Sequence, residues 1–531
     1  MSTTATATAR RPLPRIHPDR PDHPERLRQA FLAAGFTASG LPELLGARAH
    51  SALARGETVP AARALRGDGP LETLVRLFLL RRPVEREPAG AALPLAEALD
   101  DGWLTPLGDG ARVRATVDVR PYAGPHGEDW WIVADLGRSV GGAAGAAGFG
   151  DEDSSADSGT DDDADLVLGV GGASETLAGI TVRTPVARAL DVGTGCGVQA
   201  LHASAHAGRV TATDANPRAV QCARLTLALS GVRDADLRTG SLFEPVAGDG
   251  PYELVVSNPP FVISPGARLT YRDGGMSGDE LCRTLVEQAG PMLAEGGYCQ
   301  LLANWEHREG EDWRERVRAW LPADCDAWVV QREEQDIAQY AELWLRDAGD
   351  HLKGPRTYAE RYDDWLAEFE RRGTTAVGFG WITLRKRPRT APGDGGPSVL
   401  IEEWPHPVEQ PLGDEIVAHF ERQDFLRATD DAALLDCRFA LTDEVVQEQV
   451  GPPGAEDPEH VVLRRHRGMR RATQLDTVAA GFAGACDGSL PAGRILDAIA
   501  QLLGEDPVLL RDRTPEAIRR LVGQGFLTPV R

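Results

Sequence analysis

Lysine is almost missing from this chain: Lys353 and Lys386 stand alone among 57 basic residues, the rest being arginine. With Ala and Gly abundant, that bias points to GC-rich coding, so arginine content says little about nucleic-acid binding. Long apolar runs are missing too. None approaches the roughly 20 residues a spanning helix needs, and the Arg-bearing, Thr/Ala-rich start lacks the apolar centre of a signal peptide. These absences lead us to expect a cytoplasmic protein with no membrane partner. Seven cysteines, at 196, 222, 282, 299, 325, 437 and 486, show no C-x-x-C spacing, which disfavours a disulfide framework and a zinc site alike. We expect reduced thiols and no metal. Nor is there a surplus of positive charge: the formal net charge is −23, and residues 151–165 carry eight Asp or Glu with no Lys or Arg. Acid exceeds base outside that run as well, the wrong sign for a non-specific duplex-DNA binder.

What is there is globular in composition, 26% charged and 42% hydrophobic. The 531 residues suffice for about three domains at ~150 residues each. Residues 138–165 (RSVGGAAGAAGFGDEDSSADSGTDDDAD) cannot bury enough apolar surface to offset chain ordering and read as a disordered acidic linker. An acidic tether mimicking nucleic acid is the sharper reading; a solvated run is the commoner one. Before it, residues 1–137 read as a small α+β region. Pro24–Gly35, Leu41–Leu53 and Leu71–Leu80 show helical spacing, and Val113–Val119 and Trp130–Leu136 read as strands. Leu95–Leu104 (LAEALDDGWL) before the β-pair resembles a winged-helix ending. From 166 to 388 strands and helices alternate, which implies a doubly wound α/β domain on a parallel sheet. Its strands are expected in ARALDVG, RVTATDA, ADLRTG, YELVVSN, GYCQLLA, AWVVQR and VGFGWITLR. After a Pro/Gly-rich break, residues 389–531 form a third region ending in RILDAIAQLLG and TPEAIRRLVGQGFLTPV, a winged-helix-like helix-helix-strand pattern.

The strongest chemical signal is Asp191-Val-Gly193-Thr194-Gly195-Cys-Gly197 between a strand and a helix. Its glycines permit a sharp turn and let a ligand lie against bare backbone at a helix N-terminus. Asp214 follows Gly193 by 21 residues at the end of the second strand, where a carboxylate accepts both ribose hydroxyls of a nucleotide-like cofactor. A dinucleotide site shares that acid. The acid opening the loop, Asp191, repels pyrophosphate and suits a cationic sulfonium with a free amino group.

Asn258-Pro259-Pro260-Phe261 closes the fourth strand, at the edge where open α/β sheets bind ligands. An NH2 conjugated to a carbonyl or aromatic ring has a delocalised lone pair and attacks a methyl sulfonium poorly. The Asn258 side-chain oxygen and the Pro259 carbonyl can hold its two N–H bonds and aim the lone pair. The prolines stiffen the loop, and Phe261 can stack on the flat group. A plain turn is the bland alternative; the upstream loop and Asp214 on the same domain weigh against it.

Residues 166–305 resemble the HemK/PrmC branch of class I methyltransferases, which carry D-x-G-T-G-x-G and N-P-P-[YF]. Ser174-Glu175-Thr176-Leu177 is similar to that family's Glu-Thr pair, and Tyr271-Arg-Asp-Gly274-Gly275-Met-Ser-Gly278 to its Gly-Gly-x-x-Gly segment. The resemblance implies a Rossmann-like, seven-stranded domain binding S-adenosylmethionine. Asp191, Gly193, Thr194, Gly195, Gly197 and Asp214 would hold the cofactor, with Ser241 and Leu242 beside its adenine. Asn258 to Phe261 would hold the substrate. Ser241 stands where many relatives have Asp. Family members methylate a glutamine side chain in release factors, and related N-P-P-[YF] enzymes modify exocyclic amines of adenine or guanine.

Three functions follow as expectations. The first is a protein glutamine methyltransferase with a release-factor-like partner. The second is an RNA or DNA amine methyltransferase, supported by the winged-helix patterns and by the basic run Arg464-Arg-His-Arg-Gly-Met-Arg470-Arg471, which also fits an exposed helix face. The third is a non-catalytic scaffold. His202 and His206, one helical turn apart without the Glu of a zinc helix, read as helix-surface residues, and Cys196 as a small packing residue.

Overall fold

Runs of β-branched and apolar residues make the strands of the central sheet, which has eight strands, one more than the seven expected. The computed structural model describes residues 12–136, 165–266, 275–388, 396–453 and 458–530. Residues 138–164 of the acidic segment and Tyr271–Gly274 therefore lie outside the described residues. The seven expected strands are β1 (Val186–Val192), β2 (Ala207–Asp214), β3 (Asp236–Thr239), β4 (Tyr252–Ser257), β5 (Leu293–Arg308), β6 (Cys325–Asp336) and β7 (Thr374–Lys386), in the order β3-β2-β1-β4-β5-β7-β6, and an eighth, Val399–Glu403, pairs beyond β6. All seven fall where the alternating pattern places them. The pairings β3–β2, β2–β1, β1–β4 and β4–β5 are parallel, each joined by a crossover. The order reverses at β1–β4, and open parallel sheets bind ligands outside the strand C-termini at such a switch point. Register puts Val192 opposite both Thr213 and Ser257, so the residues that follow, Gly193, Asp214 and Asn258, share one edge.

Two compact units divide the chain. The first holds residues 1–178, 184–322 and 329–383; the second holds 179–183, 323–328 and 384–531. Neither boundary coincides with those read from sequence, for reasons visible inside each unit.

In the first unit the N-terminal region is fused to the α/β domain through the helix Pro217–Leu229. Helices His23–Ala34 and Gly40–Ala54 precede a three-stranded antiparallel sheet of Val84–Glu85, Arg112–Ala115 and Leu104–Leu107, and a hairpin of Asp118–Ala123 with Asp129–Ala134 follows. The expected strand over Val113–Val119 is thus two strands broken at Thr116 and Val117. Phe31, Phe36, Phe78 and Trp131 share one buried cluster with Leu225 and Leu229 of Pro217–Leu229. The hairpin edge is satisfied by the same stretch of chain: Trp131 N donates to Ser230 Oγ at 3.1 Å and Val133 N to Thr226 Oγ1 at 2.9 Å. Edge amides left bare would be costly to bury. His202 needs correcting here. It is buried rather than on a helix surface, with its Nε2 3.0 Å from the Tyr122 hydroxyl and its ring edge-on to Tyr122 and Trp130. Helical spacing alone cannot say that a hairpin from another region covers that face.

The second unit gathers Ala323–Trp328 because Asp326 is its ionic hub: Arg385 and Arg427 donate to it at 2.7 and 2.6 Å, and Ser398 N at 2.8 Å. Leu412 N holds Gly179 through its carbonyl at 2.7 Å. Helices Gly413–Ala428, Ala492–Leu503, Pro507–Arg513 and Pro515–Gly523 surround a core containing Phe439, Leu496, Leu521 and Phe526, with Leu527–Val530 closing a three-stranded sheet. The basic run is not a helix face. It is the strand His460–Arg465, a turn, and the approach to the strand Ala472–Leu475. Its arginines are largely matched: Arg464 with Glu448, Arg465 with Glu415, Arg467 with Glu409 and Glu444, and Arg471 with Glu402.

Candidate functional site

A cavity of about 530 Å³ opens at the shared edge of β1, β2 and β4, within the range of small-molecule sites. Of the residues singled out from sequence, Gly193, Thr194, Gly195, Asp214, Ser241, Leu242, Asn258, Pro259, Pro260 and Phe261 line it. They come from four separate segments brought together by the parallel register.

The floor is the glycine loop. Gly193 and Gly195 have φ of +74° and +55°, and a Cβ built on either would meet nothing within 4 Å. A ligand therefore has the room that side chains would occupy. The amides of Gly193 and Thr194 both donate to the Thr213 carbonyl at 2.9 Å, tying the loop to β2. Asp214 ends β2 and accepts from Gly195 N at 2.9 Å and Asn216 N at 2.8 Å. Burial pushes its carboxyl above the ordinary range, and those two amides oppose the shift.

Asp191 and Gly197, also singled out from sequence, do not line the cavity; they lie behind the loop. Asp191 is fully buried and accepts from Thr194 Oγ1 at 2.6 Å and Ala200 N at 3.0 Å, while its Oδ1 has no hydrogen-bond partner among the described residues. Burial raises its carboxyl to about 7. The residue braces the loop onto the helix Val198–Ser204 instead of facing the ligand space. Gly197, φ +87°, sits with its Cβ position 2.9 Å from Ala223 Cα, so it serves close helix packing. Cys196 lines the wall with its thiol pushed up to about 12 by burial, which leaves it a thiol at neutral pH.

The far wall starts at Asn258. Its Nδ2 donates to Ser174 Oγ at 3.2 Å, and no donor among the described residues takes its Oδ1. Ser174 is itself fixed, since Gln199 Nε2 donates to its carbonyl at 2.8 Å. The loop after Phe261 is tethered at Ile263, whose amide donates to the Tyr340 hydroxyl at 2.9 Å. Phe261 leans on the aromatic cluster of Tyr340, Trp365 and Phe369. Leu242 holds a left-handed φ of +49°, a strain of about 1 kcal/mol or more, and presents its turn to the cavity.

Sequence reading did not assign several wall residues: Leu166 to Gly169, Ser174, Gln199, Trp344 and Asp347. Only Ser174 had a signal, lying in the segment matched to the Glu-Thr pair. Trp344 and Asp347 come from the helix Ile337–Asp347, more than 80 residues beyond Phe261. Among the described residues, no cluster of His, Cys, Asp and Glu could hold a metal ion.

Residues 170–312 match the family model "Methyltransferase small domain". Residues 33–116 and 417–529 match two models described as domains of unknown function, DUF7059 and DUF7782. A release factor glutamine methyltransferase of Deinococcus radiodurans is 39% identical over 124 residues, 21% of this chain and 43% of that protein. A ribosomal RNA small subunit methyltransferase C of Salmonella arizonae is 32% identical over 119 residues, 22% of this chain and 31% of that protein. The matches thus span less than half the length of either relative. A solved rRNA methylase of Streptococcus thermophilus aligns with 41% of this chain and 95% of its own, at 14% identity and a TM-score of 0.25. The segment that builds the glycine loop, Asp214 and the Asn-Pro-Pro-Phe wall is the one that matches the methyltransferase small domain.

Proposed function

We propose that this protein transfers a methyl group from S-adenosylmethionine to a planar NH2 nitrogen, and that the acceptor is a glutamine side chain in a protein. The observation that carries the reading is the pose of Asn258. With Nδ2 engaged by Ser174, its oxygen is the atom left to accept a hydrogen bond from a substrate NH2 at the cavity wall.

The residues fit the cofactor. The Gly193 and Gly195 cradle is open where side chains would stand, and the Asp214 carboxylate is positioned to accept from a ribose. When bound, S-adenosylmethionine supplies an electrophilic methyl on a sulfonium. Asn258 Oδ1 and the Pro259 carbonyl take the two substrate N–H bonds, which turns the nitrogen lone pair toward that methyl. Methyl transfer to that nitrogen would form the N–C bond as the S–C bond broke, and the nitrogen would then release its extra proton to water. No strong general base is required, because positioning accounts for much of the acceleration.

A neutral amide acceptor is favoured by charge. The described lining carries the carboxyls of Asp214 and Asp347 and includes no Lys or Arg. The basic run of the second unit is matched by glutamates, which weakens it as a phosphate-binding surface. The second reading, an exocyclic amine of a nucleobase, draws support from the rRNA methyltransferase relatives. Incubating the purified protein with labelled cofactor and cell lysate decides between them. Label removed by protease and recovered as N-methylglutamine supports the proposal; label removed by nuclease supports the nucleobase. Cofactor binding without any labelling would leave a scaffold.

A further inference from the structure

We infer that Asp135, in the N-terminal region and outside every matched family segment, is a positioning residue for the cofactor, acting with Arg218 as a clamp on one wall of the cavity. The inference rests on the cofactor reading above. That wall is Leu166 to Gly169, a stretch that precedes the methyltransferase small domain and follows the first domain of unknown function.

Asp135 holds it at Val167, and the start of the helix Pro217–Leu229 holds Asp135 and the residue before the wall. Asp135 N donates to the Val167 carbonyl at 2.9 Å, and Val167 N donates back to Asp135 Oδ2 at 3.0 Å, so Asp135 grips one residue through backbone and side chain. Arg218 donates from Nε to both Asp135 oxygens, at 3.0 and 2.8 Å, and from Nη2 as well. Asn216 Nδ2 donates to the Asp165 carbonyl at 3.0 Å. Arg218 and Asn216 open the helix Pro217–Leu229 directly after Asp214, and Asn216 N donates to Asp214 itself. Asp214, the acid placed to hold the ribose, is therefore two residues from Asn216 and four from Arg218, the anchors of the clamp, at a single helix start. A bidentate arginine–carboxylate pair fixes orientation as well as distance, and the Asp135 side chain is only 7% exposed. Removing the buried Asp135 carboxylate breaks a pair largely withdrawn from water, a larger loss than a surface pair would give.

The test uses the full-length protein and calorimetry with S-adenosylhomocysteine. Asp135→Asn abolishes the charge pair and should raise Kd about tenfold or more, the scale of a hydrogen-bonded charge. In turnover, KM for S-adenosylmethionine should rise by a similar factor while kcat falls much less. Arg218→Lys keeps the charge but loses the fork, and should give a smaller rise in Kd. A purely structural pair would lower the melting temperature and leave Kd in place; unchanged Kd in folded Asp135→Asn overturns the inference. Should Asp135→Asn not fold, Arg218→Lys decides by the same criterion. Failure of the unaltered protein to bind S-adenosylhomocysteine would instead sink the cofactor reading itself.

Discussion

Asn258 and Ser174, 84 residues apart in sequence, are joined by a hydrogen bond of 3.2 Å from the amide nitrogen to the hydroxyl oxygen. With the amide nitrogen on that hydroxyl, the oxygen of Asn258 is the end left for a substrate N–H. Ser174→Ala frees the amide to rotate. A neutral hydrogen bond contributes about 0.5–1.5 kcal/mol, so kcat should fall by up to roughly tenfold with little change in S-adenosylhomocysteine affinity. Ser174→Thr, which keeps the hydroxyl, should restore most of the rate. Equal loss in both variants would show that packing, and not the hydrogen bond, is what matters at 174.

Asp191 makes stability depend on pH. Its carboxyl rises from 3.8 to about 7 in the folded chain, mainly through burial. Between those values the folded protein holds a proton that the unfolded chain has released. The associated stability is complete below the unfolded value and is lost as pH rises through about 7. Asn at this position supplies an acceptor for Thr194 and Ala200 and never ionises. The melting temperature of Asp191→Asn relative to its parent should therefore climb from about pH 5 to about pH 8, by an amount worth a few kcal/mol at ~1.4 kcal/mol per pKa unit. His419 works in the opposite sense, burial holding its imidazole neutral, so the difference between variant and parent is the quantity to measure. A difference that stays flat across the range would mean Asp191 is ionised throughout.

The elements that sequence reading recovered are those whose cause is local. Strands β1 to β7 are apolar runs ended by turn residues, and the glycine loop and Asn-Pro-Pro-Phe owe their shapes to the residues they contain. What escaped is produced by distance. Trp344 and Asp347 carry no pattern of their own and reach the cavity only because the fold brings their helix there, and Asp135 touches the wall only through Val167. The same limit explains His202, whose cover of Tyr122 and Trp130 comes from about 80 residues upstream. It also explains Asp191, whose chemistry suggested a ligand contact but whose position in β1 turns it into the loop instead.

Glycines of the loop should divide into two kinds. Gly193 and Gly197 both have positive φ, so alanine at either adds a strain of about 1–2 kcal/mol. Beyond that they differ, because a Cβ at 193 meets open space beside the cavity while one at 197 falls 2.9 Å from Ala223 Cα. Gly197→Ala should lower the melting temperature more, and Gly193→Ala should lose more S-adenosylhomocysteine affinity by calorimetry. The reverse ranking would mean the ligand does not lie over Gly193.

Replacing Asn258 separates chemistry from folding. Its side chain lines the cavity with one recorded partner, Ser174, while the glycine loop and Asp214 stand on other strands. Alanine there removes the acceptor for one substrate N–H and leaves Pro259 and Pro260 to shape the loop. Loss of a single preorganised polar contact in such a site lowers turnover by roughly a hundredfold to a thousandfold. Asn258→Ala should thus melt within a few degrees of its parent and keep its S-adenosylhomocysteine affinity within severalfold, yet transfer almost no label to lysate acceptors. Asn258→Asp keeps an oxygen for the substrate and lets the Ser174 hydroxyl turn from acceptor to donor, so partial activity is expected. Turnover at the parental level in Asn258→Ala would reduce Asn-Pro-Pro-Phe to a turn after β4 and move the scaffold reading ahead of methyl transfer.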